Sequence, residues 1–487
     1  MIVPPDGLVL GGIAPALTLL VAAATALILG TVRADARQGG AVALLGLAAA
    51  AVFAVRNLVD PGAHGATFGV QWVVDGASAG LAVAILVGTF LAVLLSWDAP
   101  VARVGDRPEF HPLLLLAATG GIAMVHAGDF VVLLLGLEIL SLSVYALSAW
   151  RTGVREGEEA GMKYFLLGAF ASAILIYGVA LTYGATGAFD FASIGAALAA
   201  GAPGPLALLG GAFVLVGLGF KVSFAPFHQW APDVYTGAPT PVTAFMSVVV
   251  KVAAFGALLR VASEAWPATV PSLDLMLAIL VALTLVVGNL GALLQSGAKR
   301  MLGYSAVAHA GYLGLAVLAA GQGLASPTTV VWYLLAYTFM NLGAFAVTHL
   351  VMHDDPQGDR IEAWQGLGAR KPGLAIAMTL FLFSLAGFPP LAGFFGKALA
   401  VRAAFDAGWS SLAVLALLAA VVAVVYYTRF VFAMWFARAP RAIEVAPSDA
   451  ARWAVGLAAA GTVAMGLFPD VWYALVEGAG AALALVP

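Results

Sequence analysis

The sequence predicts an all-α polytopic membrane protein of about fourteen transmembrane helices, and three observations predict it. Of 487 residues, 62% are hydrophobic and 10% charged, with a mean hydropathy of +1.01, which does not describe a water-facing surface. The apolar runs are typically 18 to 28 residues long, the length an α-helix needs to cross about 30 Å of hydrocarbon. The alternating pattern of about ten residues that marks barrel strands is missing, and no strand is expected.

Hydropathy and helix breakers place the spans at 8–30, 40–57, 76–97, 112–127, 129–150, 161–184, 205–226, 239–263, 272–294, 300–320, 326–351, 372–401, 410–436 and 450–476. No Lys or Arg precedes the first run and Arg33 and Arg37 follow it, the reverse of a signal peptide, so it stays as a membrane helix. The longest polar loops are 98–111, 151–160, 352–371 and 437–449, and none resembles a separate soluble domain. Spans 7 and 12 are discontinuous: Pro226 and Pro389-Pro390 interrupt them by removing backbone donors and crowding the preceding turn. Backbone freed in this way inside a membrane must line a cavity or be buried in protein, so the breaks point to polar interiors.

The two broken spans lie five helices apart and each carries one lysine, which suggests an internal repeat. An odd offset inverts the second copy in the membrane. The chain then divides into spans 1–3 (residues 1–111), a first five-helix unit of spans 4–8 (112–264), an inverted second unit of spans 9–13 (272–437) and a C-terminal span 14 (438–487). In this register Glu138 in span 5 matches His309 in span 10, and Lys221 in span 7 matches Lys397 in span 12.

Orientation follows Lys and Arg in short loops. Fifteen of them, from Arg33 to Arg452 and including Arg103, Arg438 and Arg441, fall in loops on one side, against Arg56, Arg260 and Arg402 on the other. Both termini are therefore expected outside, with the fifteen facing the cytoplasm of a bacterial cell membrane.

Four of the 22 basic residues remain within spans: Lys221, Lys251, Lys397 and Arg429. Each costs about 2.5 to 3.5 kcal/mol at a bilayer centre unless it meets a partner or water. Arg429 lies toward the end of its span, where a long side chain can snorkel to the interface. Lys221 and Lys397 sit beside broken helices and could pair with acids or freed carbonyls. Lys251 is near mid-membrane with no acid nearby in sequence. Glu138, in "LLLGLEILSLSVYALSAW", is the acid placed well inside a span. His309 lies within span 10, and an imidazole gains or loses a proton readily near neutral pH. It could instead be a hydrogen-bonded packing residue. His228 follows the break in span 7 and either begins an access path or caps the loop.

Other chemistry is excluded. The chain has no cysteine, which removes disulfides, Cys-ligated iron–sulfur clusters and thiol catalysis. It has no GxxxxGK[ST] loop and no HExxH motif. No cofactor, metal or nucleic acid is expected on it. Burial disfavours the charged form of a lysine and a nearby carboxylate restores it, so a lysine whose partner approaches and withdraws can bind and release a proton. Glu138, Lys221, Lys251, His309 and Lys397 in line, with half-channels to each face, would make a proton translocator.

Five strings in order, "LLGLEILSLSVYALSAW", "EAGMKYFLLGAFASAILIYG", "GFKVSFAPFHQWAPDVYTGAPTPVTAFMSVVVKVAAF", "AKRMLGYSAVAHAGYLGLA" and "FSLAGFPPLAGFFGKALA", resemble the N subunit of the proton-pumping NADH:quinone oxidoreductase, respiratory complex I. The resemblance covers about residues 75 to 440. It implies an antiporter-like subunit of the membrane arm, with Glu138 and Lys221 as an ion pair, Lys251 as the central lysine, His309 as a relay and Lys397 as the exit residue. It also implies that NADH, FMN, iron–sulfur clusters and quinone are handled by other subunits, and that neighbouring antiporter-like subunits and lipid are the partners. Gly303 and Ala306 depart from the family's pattern without touching these residues. Three alternatives stay open: a subunit of a multi-subunit Na+/H+ antiporter, a ferredoxin- or F420-linked relative of complex I, and a structural subunit that bridges its neighbours and whose lysines only satisfy buried acids.

Overall fold

The computed structural model describes residues 10–33, 36–97, 107–201, 203–266, 270–352, 356–437 and 445–480. Arg103, Arg438 and Arg441, which the loop count uses, lie outside them. The N-terminal part is α1 (Leu10–Arg33), α2 (Ala36–Val59) and α3 (Gly76–Leu95). Next come α4 (Phe110–His126), α5 (Phe130–Ser148), α6 (Arg155–Thr186), the short α7 (Phe191–Ala200), α8 (Pro205–Val222) and α9 (Trp230–Gly237). The span 240–265 is composite: α10 (Thr240–Phe245), a π-helical turn Met246–Val250, α11 (Lys251–Arg260) and a second π-helical turn Val261–Ala265. The remainder is α12 (Pro271–Leu293), α13 (Ala298–Gly321), α14 (Thr328–Met352), α15 (Leu367–Arg370), α16 (Pro372–Ala386), α17 (Ala392–Asp406), α18 (Ser410–Phe436), α19 (Asp449–Leu467) and α20 (Pro469–Gly480).

One expectation is corrected. Between α2 and α3 the chain forms a small antiparallel hairpin, β1 (Gly65–Thr67) and β2 (Trp72–Val74), with Gly65 opposite Val74. Three-residue strands are too short to leave an alternating signature in so apolar a sequence. Asp75 then caps α3 in a reciprocal capping box with Ser78, and Asp129 and Asp190 cap α5 and α7 through the amides of Val132 and Ser193. These acids next to apolar runs are explained as helix starts.

Twelve of the described spans are long and apolar enough to cross a membrane by length and composition. Of the other expected spans, α4 has 17 residues, and span 12 is divided into α16 and α17 at Pro389-Pro390. Close helix pairing rests on small residues: α4 runs along α5 and a Cβ added to Gly120 would stand 2.5 Å from the carbonyl of Gly136. Burial is graded from the centre outward. The most apolar window of span 240–265 is 100% buried, those of α13 and α14 are 94% buried, and that of α18 only 33%. The three central spans are enclosed by other helices, so they can carry buried polar side chains with little contact with lipid.

Candidate functional site

The two broken spans set the site. At the first, α8 ends at Val222, Ser223 adopts the left-handed conformation at φ 66°, and the chain turns before α9. Carbonyls freed at that helix end find side-chain donors: Trp230 Nε1 donates to Phe220 O at 3.0 Å and Lys251 Nζ to Val222 O at 3.0 Å. At the second, α16 ends at Ala386 with Gly387 left-handed, and Lys397 Nζ donates to Ala386 O at 3.0 Å. Each break is therefore closed by a buried lysine on a carbonyl that its own helix cannot satisfy.

The relay candidates are brought together. Lys221, Lys251, His309 and Lys397 are all buried, none exposing more than 7% of its surface. Lys251 Nζ donates to Val222 O, next to Lys221, and at 2.9 Å to Ala306 O, one turn before His309 on α13, so Ala306, expected to stand clear of these residues, touches Lys251 through its backbone. The His309 ring lies beside the Leu385 carbonyl, the neighbour of the Ala386 carbonyl that Lys397 holds. A continuous succession of neighbours thus runs from Lys221 through Lys251 and His309 to Lys397. His309 sits within electrostatic reach of both Lys251 and Lys397, and the half-buried His228 within reach of Lys251.

One sequence expectation takes a different form. Glu138 and Lys221 make no direct ion pair within 4 Å. Lys221 Nζ instead donates to the Tyr145 hydroxyl at 3.3 Å and stands 5.0 Å from the centre of that ring, with Tyr164 and Phe220 completing an aromatic enclosure. Glu138 Oε1 is buried without a hydrogen-bond partner. Glu138 still acts on Lys221 through space. The physical reason is position: Tyr145 lies seven residues after Glu138 on α5, on the same helix face, and its ring reaches Lys221 first.

Sequence reading missed the hydroxyls and amides that line this succession. His309 Nδ1 pairs with the Tyr333 hydroxyl at 2.9 Å, and the His309 ring lies 5.2 Å from that of Tyr337. Lys397 Nζ stands 4.8 Å from the Tyr312 ring centre. Asn341 on α14 donates to Ser247 Oγ at 2.8 Å, one turn before Lys251 in the π-helical stretch. The signal available was weak: Tyr, Ser and Asn inside spans, which composition treats as tolerated polarity.

It also missed a second charged cluster. Arg260, expected in an outer loop, is buried in α11, where it donates to Asp75 Oδ2 at 2.5 Å and to Glu264 Oε1 at 2.6 Å. A cavity of about 20 Å³ beside it, lined in part by Ser78, Ser263 and Glu264, has room for one water. Arg429 turns out to be a cap. Its guanidinium donates to Leu293 O at 3.0 Å and to Gln295 O, closing the C-terminal end of α12.

At the opposite end of the composite span, α9 is locked between α6 and α13. Asp233 accepts from Lys163 at 2.8 Å and from Arg300 at 2.5 Å, joining α6, α9 and α13. Partial burial alone would raise its pKa, but the hydrogen bonds from Lys163 and Arg300 outweigh this and hold it below the usual carboxylate value of 3.8.

A polytopic helical chain with buried basic side chains at the ends of broken helices is the architecture of an antiporter-like membrane subunit. Residues 127–423 match the transmembrane family of NADH:quinone oxidoreductases and Mrp antiporters. NADH-quinone oxidoreductase subunit N of Deinococcus radiodurans is 44% identical over 406 residues, 82% of each chain. A chain in the solved structure of Thermus thermophilus respiratory complex I with bound aureothin superimposes with a TM-score of 0.82 at 40% identity, covering 96% of this chain and 100% of that one. A chain of an archaeal membrane-bound sulfane sulfur reductase superimposes with a TM-score of 0.83 at 26% identity over 97% of both. The chain belongs to the NADH:quinone oxidoreductase and Mrp antiporter family, on its subunit N branch.

Proposed function

We propose that this chain carries protons across the membrane as the N-type, antiporter-like subunit of a NADH:quinone oxidoreductase, through Glu138, Lys221, Lys251, His309 and Lys397. The observation that carries this reading is the run of four buried basic side chains in which Lys251 bridges carbonyls of the first break and of α13, and Lys397 holds a carbonyl of the second break. Lys251 spends two of its three N–H donors on carbonyls and keeps one to turn toward either neighbour. His309, held at Nδ1 by Tyr333 and unpartnered at Nε2, has one ring nitrogen available to take or give a proton. His228, half-buried after the first break, opens the access path.

NADH oxidation, FMN, iron–sulfur clusters and quinone belong to other subunits of the complex, which are its partners together with neighbouring antiporter-like subunits. This chain does no redox chemistry itself; it is a subunit of the translocase. The excess of Lys and Arg in alternate loops supports both termini outside a bacterial cell membrane. Counting α4 and the split pair α16/α17 as one span each supports fourteen spans. The two broken spans five helices apart, each carrying one buried lysine, Lys221 and Lys397, support an inverted repeat of residues 112–264 and 272–437.

Lys251→Ala tests the reading in membranes of the native host. Assembled complex, measured by NADH oxidation with an artificial electron acceptor, should remain, while protons pumped per electron fall. A complex that pumps at the normal ratio would remove Lys251 from the relay.

A further inference from the structure

The relay described above leaves a gap at its start, because Glu138 and Lys221 do not touch. What stands between them is one face of α5. Glu138, Ser141 and Tyr145 are spaced i, i+3 and i+7, so they stack along a single stripe of the helix. The side chain of a helical residue points back over the preceding turn. Tyr145 accordingly points back over the turn that carries Ser141, four residues earlier on the same face. At the other end its hydroxyl receives the Lys221 ammonium at 3.3 Å.

The donor and acceptor order is consistent along the stripe. The Tyr145 oxygen accepts from Lys221, leaving its proton for Ser141. Ser141 Oγ gives its own proton to Leu137 O, so its lone pairs are free to accept. Both residues are buried, and Glu138 Oε1, one turn further on, has no partner. The neighbouring helix is shaped for this hydroxyl: a Cβ on Gly168 of α6 would collide with the Tyr145 oxygen, so only glycine leaves it room. Tyr164 packs edge-on against the Tyr145 ring at 4.9 Å, which fixes its plane.

We propose that Ser141 and Tyr145 form a hydroxyl bridge that carries the proton between Lys221 and Glu138. The proposal rests on the relay reading and supplies the link that the missing ion pair leaves open. In the transfer, Lys221 gives one proton to the Tyr145 oxygen as Tyr145 passes its own to Ser141. Ser141 turns its hydroxyl from Leu137 O and passes a proton to the Glu138 carboxylate, directly or through one water. Each hydroxyl takes one proton and gives one, so neither is left charged. A charged lysine and carboxylate become a neutral amine and a neutral acid, and the reverse hop restores them.

Three variants of the intact complex in native membranes test this: Tyr145→Phe, Ser141→Ala and Lys221→Ala. Phenylalanine keeps the ring beside Lys221 and removes only the hydroxyl. The proton-pumping rate of Tyr145→Phe should fall about tenfold, short of the 10²–10⁴ that a positioned proton transfer contributes, because water fills in partly. The slowed hop should also raise the ratio of pumping rates in H2O and D2O, which loss of packing alone would not do. Ser141→Ala, which leaves the Tyr145 ring contacts intact, should show the same two changes and decides the matter should Tyr145→Phe not assemble. If Lys221→Ala is impaired while both hydroxyl variants pump at the normal rate and isotope ratio, the bridge is wrong and the relay stands. If Lys221→Ala pumps normally, the relay reading itself falls, and the bridge with it.

Discussion

Arg260→Ala tests how the span that carries Lys251 is held. Arg260 exposes 6% of its side chain and ties two carboxylates, Asp75 with 8% exposed and Glu264 with 26%. Removing the guanidinium strands Asp75, whose remaining contact is the Ser78 amide at 2.7 Å. Loss of one member of a buried pair costs about 3–5 kcal/mol, because the other charge stays desolvated. Glu264 is more exposed and adds little, since solvent screens it. An expected loss near the lower bound, about 3 kcal/mol, is roughly a hundredfold change in the folded ratio at about 1.4 kcal/mol per factor of ten. In detergent extracts, Arg260→Ala should lose this subunit from the complex at a temperature where the parent complex stays intact. The double variant Arg260→Leu with Asp75→Leu, which removes both buried charges, should recover much of the loss. Arg260→Ala that resists heat as the parent does would show that the cluster contributes nothing to stability, and the argument from desolvation would fail.

Two further outcomes follow from the ends of the breaks. Asp233 is an acid whose folded pKa is depressed, so the stability it contributes is present above the usual value of 3.8 and is lost as pH falls through the folded value. The contribution is at most about 1 kcal/mol because the Lys163 and Arg300 side chains are partly exposed. Hydrogen exchange of the segment 223–239 should quicken as pH falls below about 4 relative to the intrinsic rate, and Asp233→Asn should exchange fast at both ends of the range; an unchanged Asn variant would mean that packing alone holds α9. Gly393→Ala places a Cβ against the Ser384 carbonyl, where the Gly393 amide now donates to Ser384 Oγ at 3.0 Å. Overpacking of this kind costs about 1–3 kcal/mol, and the second break should open enough to lower assembled complex; normal assembly and pumping would show that this contact is not needed.

The spans were legible in the sequence because membrane thickness fixes helix length, and runs of about twenty apolar residues between polar loops have few other readings. The lysines were legible for the same reason, since a charge in hydrocarbon needs a purpose. What could not be read was where each side chain goes. Nothing in "GLEILSLSVYALS" says that Tyr145 reaches Lys221 before Glu138 does; this depends on how α5 meets α8, a tertiary fact. Arg260 was misplaced because "LLRVASEAWP" reads as the basic flank at the outer end of a span, whereas the structure buries it just before a closing π-helical turn, on Asp75 and Glu264. A π-helical turn accommodates one extra residue in an otherwise regular helix, and composition gives no sign of it.

The two breaks also change what the lysines are for. A charged side chain at mid-membrane and a freed carbonyl at mid-membrane are each costly alone. Lys251 on Val222 O and Lys397 on Ala386 O offset one cost with the other, so the same contact satisfies the broken helix and fixes the lysine. In the proposed relay, a lysine fixed in this way cannot lose its proton without weakening the cap on the helix end, nor can the helix end shift without altering the hold on the proton. On that reading no separate device is needed to couple conformation to protonation: a shift of the end of α8 or of α17 by a fraction of a hydrogen bond's reach changes how tightly Lys251 or Lys397 is held. The lock of Asp233 between Lys163 and Arg300 gives such a movement a handle at the first break.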